Sequence, residues 1–191
     1  MRIDLAWQAL EWPSVEHVTI AYENGWIADG AMVAVVDSQA VRLTYRLGVD
    51  SADVARALDL AEAVDGATLA LRSDGPGRWS NADGSARPEL DGCIDVDIST
   101  TPLTNTLPVR RLRLAPGDSA EIQVVYVDVP SLAVRSVVQR YTRIDERTYR
   151  YASGSFGADV VFDENDLVTD YVGLWRRVPV GAQEDNWRLR Q

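Results

Sequence analysis

The chain has 191 residues, of which 46% are hydrophobic and 25% charged, proportions that exclude disordered and collagen-like classes and predict one globular domain over residues 1–191. Its 19 basic residues are all arginine and face 29 acids for a net charge of −10, so nucleic acid and anionic bilayers are not expected partners. The longest unbroken apolar run, residues 31–36, falls far short of the ~20 residues of a spanning helix. The start Met1-Arg2-Ile3-Asp4 lacks a secretory core, which makes a cytoplasmic location the expectation, and the lone Cys93 can neither form an internal disulfide nor build a thiolate metal site.

Period-2 alternation is the dominant pattern along the chain. Val18, Ile20 and Tyr22 alternate, and Asn24-Gly25 then leads into Trp26-Ile27, which predicts a hairpin with a two-residue type I′ turn. Residues 41–49 alternate for nine positions, the signature of a half-buried strand. Residues 53–62 satisfy two templates: Val54, Ala57, Leu58 and Ala61 have helical spacing, while Val54, Leu58 and Leu60 suit a strand. Residues 73–77 and 80–88 are dense in Gly, Pro, Asp, Asn and Ser and read as loops.

Residues 122–129 form a nearly continuous apolar run, as in a strand covered on both faces, and residues 134–144 and 147–151 are rich in β-branched side chains and tyrosine. Phe156, Ala158, Val160 and Phe162 line one face of a further strand, residues 163–166 supply a turn, and Leu167, Thr169 and Tyr171 return. Many short strands joined by turns predict an all-β sandwich or barrel, with more than half the chain in strands and at most one or two short helices.

The segment with most chemistry is Asp91-Gly92-Cys93-Ile94-Asp95-Val96-Asp97-Ile98-Ser99. As a strand it sends Ile94, Val96 and Ile98 to one face and Cys93, Asp95, Asp97 and Ser99 to the other, with the two carboxylates about 6–7 Å apart. That spacing suits a glycosidase pair or a hard metal ion. Arginines return soon after, at Arg110, Arg111 and Arg113, and favour an ion-pair network or a ligand-orienting polar cluster, with Asp95 and Asp97 paired to arginine or backbone donors.

Residues 110–150 carry 8 Arg against 5 acids, a local positive stretch that could admit an anionic head group. His17, the single histidine, excludes His-pair zinc ligation and reads as solvated or hydrogen-bonded. Ser155 lacks the nucleophile-elbow spacing and Gly75-Pro76-Gly77 lacks that of a phosphate loop, so no catalytic residue, cofactor or metal is expected. Six tryptophans (Trp7, Trp12, Trp26, Trp79, Trp175, Trp187) and seven tyrosines against two phenylalanines are a bias suited to sugar stacking and amphiphile pockets, about half of them serving the core.

Residues 90–99 together with 101–112 resemble a glycolipid-binding family of bacterial proteins. The resemblance extends to Glu16-His17, residues 126–132, 139–143, 149–151 and 170–177, and so to essentially the whole chain. It implies one antiparallel β-domain, a strongly curved sheet or incomplete barrel similar to periplasmic lipoprotein carriers, with an apolar concave surface and a glycolipid ligand. The combined reading is non-enzymatic binding of a glycolipid or similar amphiphile, acyl chains on the concave sheet and the head group at a polar rim. Asp95, Asp97, Asn105, Arg110 and Arg111 are the polar candidates, and Tyr45, Tyr126, Tyr141 and Trp175 the aromatic ones. Two alternatives stand beside it: a carbohydrate-active hydrolase using Asp95 and Asp97, and a protein-interaction module.

Overall fold

The computed structural model describes residues 1–180; Trp187 lies outside the described residues. The alternating segments become an antiparallel meander of seven strands, β1 (Arg2–Ala9), β2 (Ser14–Glu23), β3 (Gly25–Val36), β4 (Gln39–Val49), β5 (Ala55–Glu62), β6 (Thr68–Ser73) and β7 (Trp79–Asn81). A short strand β8 (Asp95–Ile98) and a helix α1 (Thr106–Leu112) follow. The second meander comprises β9 (Ser119–Asp128), β10 (Ala133–Arg143), β11 (Thr148–Ser153), β12 (Phe156–Phe162), β13 (Val168–Tyr171) and β14 (Trp175–Val178). β14 pairs with β1 and so joins the two meanders into one 14-stranded sheet, in the order β7-β6-β5-β4-β3-β2-β1-β14-β13-β12-β11-β10-β9-β8. More than half of the described residues are strand, and only the β8–β9 pair is parallel.

The sheet is strongly curved but not closed into a barrel. Its two edges, β7 and β8, are tied by side-chain and loop contacts instead of a strand ladder: the Trp79 indole donates to the Cys93 carbonyl at 2.8 Å and Gly92 N–H to the Gly77 carbonyl at 2.9 Å. One face of each long strand is buried, as with Val18 and Ile20, Met32 and Ala34, and Leu43 and Leu47. The other face carries cross-strand ion pairs such as Arg46–Asp29 at 2.7 Å. Among the described residues no helix is long and apolar enough to cross a membrane.

Two local expectations change and one open reading is decided. The Asn24-Gly25 hairpin pairs Tyr22 with Trp26 and Glu23 with Gly25, leaving Asn24 alone between the strands; Gly25 has φ +103° and Asn24 does not have the positive φ that type I′ demands. A Cβ at position 25 would fall 2.1 Å from the Val49 carbonyl oxygen, which requires glycine there. The stretch 53–62, which fitted helix and strand alike, forms strand over Ala55–Glu62: a bulge places Val49 opposite Ala55 and Gly48 opposite Ala57, and the extra residue shifts the apolar phase into what reads as helical spacing. A second irregularity between Val161 and Phe162 leaves Leu167, Val168 and Tyr171 buried and Thr169 only half-buried, in place of simple alternation.

The largest departure concerns the concave side. Residues 99–112 cross it as a one-turn 3-10 helix (Leu103–Asn105) running into α1, and Leu103, Leu107 and Val109 are buried in the core. Pro108 sits in the first turn of α1, where its missing N–H costs nothing, and Arg113 stops the helix at φ +48°. Part of the concave side expected to hold acyl chains is therefore occupied by the protein's own chain.

Candidate ligand pocket

β8 is shorter than its sequence pattern, and both of its faces are covered: Asp95, Val96 and Ile98 are all buried. On one face, Asp95 is fully buried and held bidentately by Arg111 from α1, with Nε at 3.1 Å and Nη2 at 2.6 Å. Two residues on, Asp97 has no cationic partner among the described residues. Its Oδ2 accepts from Gln139 Nε2 at 2.6 Å and its Oδ1 from the Thr104 hydroxyl at 3.2 Å, side-chain donors where arginine or backbone was expected.

The turn after β8 delivers two more polar groups. Thr101 donates to Glu16 Oε2 at 2.7 Å, and Glu16 Oε1 accepts from the Tyr45 hydroxyl at 2.6 Å. Asn105 Oδ1 accepts from the Tyr141 hydroxyl at 2.9 Å. Tyr45 lies flat over Gly30, where a Cβ would come within 2.1 Å of its ring.

Aromatic side chains from β9, β11, β12, β13 and β14 complete the walls. Tyr151 meets Tyr141, Tyr171 and Phe156 at centroid distances of 5.4, 6.0 and 6.0 Å, and Trp12, on the turn between β1 and β2, meets Trp175 edge-on at 5.3 Å. Between walls and floor lies a cavity of about 180 Å³, lined by Asp97, Ser99, Thr101 and Asn105 below and by Trp12, Tyr126, Tyr151, Phe156, Tyr171 and Trp175 around it.

Of the sequence candidates, Asp97, Asn105, Tyr126 and Trp175 meet at this cavity. Tyr141 and Tyr45 stand behind it, their hydroxyls bound to Asn105 and Glu16. Asp95 and Arg111 neutralise each other and do not line it. Arg110 lies elsewhere: it donates to the Tyr22 hydroxyl at 3.0 Å and to the Asn165 carbonyl at 2.7 Å, with its guanidinium over the Tyr22 and Trp26 rings.

The positive stretch 110–150 is largely spent on such contacts, as in Arg140–Glu121 and Arg150–Asp159. Arg135, 4.5 Å above the Tyr126 ring, is the cation that reaches a wall of the cavity. His17 is half-exposed beside Asp4 at 3.5 Å. Among the described residues no three His, Cys, Asp or Glu side chains gather as a metal site would require.

Burial sets the electrostatics. Glu16, without a cation, is pushed up to about 7 by desolvation, against the hydrogen bonds from Thr101 and Tyr45. Desolvation likewise raises Asp97 against the bonds from Gln139 and Thr104, and it raises Tyr151 and Tyr171 together with the field of nearby charges. Trp12, Tyr151, Phe156, Tyr171, Thr101 and Glu16 were not among the sequence candidates. Their signal was present, since Glu16, Tyr151 and Tyr171 all fall in the segments that carry the family resemblance, but nothing local brings them to one place.

Aromatic side chains packed edge to face thus surround a floor of carboxylate, amide and hydroxyl groups. A family model described as "Putative glycolipid-binding" matches residues 4–177. The chain is 38% identical to a DUF1089 family protein from Pseudomonas aeruginosa whose crystal structure superposes with a TM-score of 0.79, covering 90% of this chain and 95% of that one. No curated protein matches it.

Proposed function

Because the chain belongs to this glycolipid-binding family, we propose that it is a non-enzymatic carrier or sensor of a neutral glycolipid, the whole chain acting as one binding domain with the sugar head in the Asp97 cavity. The observation that carries the reading is the pairing, in about 180 Å³, of edge-packed Tyr and Trp walls with an Asp97–Thr101–Asn105 floor. A sugar supplies what this floor can use: hydroxyl donors for the remaining lone pairs of Asp97 and of Thr101, whose own proton goes to Glu16, and a C–H face for the aromatic rings.

The partly occupied concave side shifts the acyl chains away from the sheet interior and leaves only the head group there. The hydrolase alternative draws on two carboxylates, and with Asp95 bound to Arg111 outside the cavity it has no observation in its favour.

Tryptophan fluorescence or calorimetry with methyl and alkyl glycosides tests the proposal. Asp97→Ala is expected to weaken binding at least about fivefold, since the lost hydrogen bonds are worth about 1–3 kcal/mol, while Arg110→Ala leaves it unchanged. No saturable binding of any glycoside, or equal affinity in Asp97→Ala, overturns it.

A further inference from the structure

We infer that a groove on the convex face beside Trp12 holds the alkyl chain of the amphiphile whose sugar enters the cavity; this rests on the pocket reading above. Most of that face is ionic, with Asp29–Arg46 and Asp59–Arg72 pairs at 2.7 and 2.8 Å. Towards the Trp12 end of the sheet the rows turn apolar. Val15 lies opposite Val33 and Val35 opposite Ala40, with Val64 alongside in the turn after β5. Val15, Val33 and Val64 are 55%, 65% and 57% exposed, and they line a groove of about 690 Å³. Exposed large apolar side chains gathered in one depression mark a binding surface.

Trp12 connects this groove to the sugar cavity. It lines both, and a third depression of about 400 Å³ shares Trp12 and Val35 with the groove and Trp12 and Ser99 with the cavity. The path between them carries unspent hydrogen-bonding capacity. Among the described residues five buried side-chain polar atoms lack a partner, and three of them, Trp12 Nε1, Ser14 Oγ and Thr100 Oγ1, belong to residues that line the groove or the depression. Native structures rarely leave such groups unpaired. The indole can only donate and the hydroxyls can, so the path fits acceptor oxygens, as in the ether or ester linkage between a sugar and its chain.

The occupant is a single uncharged tail. From β2 to β5 the groove spans three inter-strand steps, about 14 Å, and its one charged lining residue is Arg42. A second copy of the chain would bring a further −10 charge against this one.

The test uses methyl, hexyl, octyl and decyl β-glucosides and β-galactosides below their critical micelle concentrations, read by tryptophan fluorescence. Affinity is expected to rise about two- to fourfold per added methylene, reflecting partial to full burial. Val33→Asp and Val15→Asp, both at exposed positions, should flatten that dependence while methyl-glycoside binding is kept and circular dichroism is unchanged. Chain-length independence in the wild type, or an undiminished slope in both variants, overturns the groove; if Asp97→Ala still weakens methyl-glycoside binding, the sugar cavity survives it. No binding by either series overturns both readings. A dimer in sedimentation equilibrium that Val33→Asp dissociates would assign this face to self-association and overturn the tail.

Discussion

Replacing Glu16 with glutamine should reverse the usual sign of a buried mutation at neutral pH. The carboxyl is fully buried, its partners are the neutral Tyr45 and Thr101, and burial pushes it from 4.5 up to about 7. A group raised in the folded state holds its proton after the unfolded chain has lost it. Its contribution is therefore complete below pH 4.5 and declines as pH rises to about 7, above which it is flat. At about 1.4 kcal/mol per pH unit the wild type loses about 3 kcal/mol across that interval. Glutamine copies the protonated form, accepting from Tyr45 and donating to Thr101, and does not titrate. Urea unfolding from pH 4.5 to 8 should find Glu16→Gln within about 1 kcal/mol of wild type at the acid end and about 2–3 kcal/mol more stable at pH 8. Asp95 and Asp97, also raised by burial, tilt both proteins alike, so the difference between the two curves isolates Glu16. A difference that does not change with pH would refute the reasoning.

Arg111→Ala should cost about 3–5 kcal/mol in urea unfolding because it leaves the Asp95 carboxylate buried and alone, whereas Arg46→Ala, which breaks an exposed pair with Asp29, should cost less than about 1 kcal/mol. Equal losses would show that burial does not govern these pairs. Gly30→Ala drives a methyl into the Tyr45 ring and should lower the melting temperature through about 1–3 kcal/mol of overpacking; in the Glu16→Gln background, part of that loss should be shared, because the displaced Tyr45 hydroxyl is the same contact.

Strands were legible wherever one face meets water, as in residues 41–49, because alternation then records the two environments directly. Legibility failed where a bulge reset the phase, at Gly48/Val49 and at Val161/Phe162, since one unpaired residue imitates a change of period. Asp97 stood out as a carboxylate between Val96 and Ile98, and Asn105 lies in a segment that carries the family resemblance. Arg110 and Arg111 could not be told apart: they are neighbours in sequence, yet helical geometry turns one to Asp95 and the other to Tyr22 and Asn165. Tyr151 and Tyr171 meet only through the register of β12 between them, and the fate of the concave face depended on residues 99–112 folding back across it, a long-range event without a local pattern.

The seam between β1 and β14 has a consequence for synthesis. The sheet's outer edges are mid-sequence strands, while its first strand finds one of its two partners only in the last. During translation β1 therefore presents an open ladder, with Trp7 lacking the Val168 carbonyl to which its indole donates in the finished fold, until β14 has emerged. An unpaired edge held that long invites wrong pairing with other nascent chains. A nick in the turn-rich stretch between β7 and β8 would leave two fragments that each keep a meander, joined by the β1–β14 ladder and by cross-contacts such as Thr101–Glu16, Arg110–Tyr22 and Trp12–Trp175.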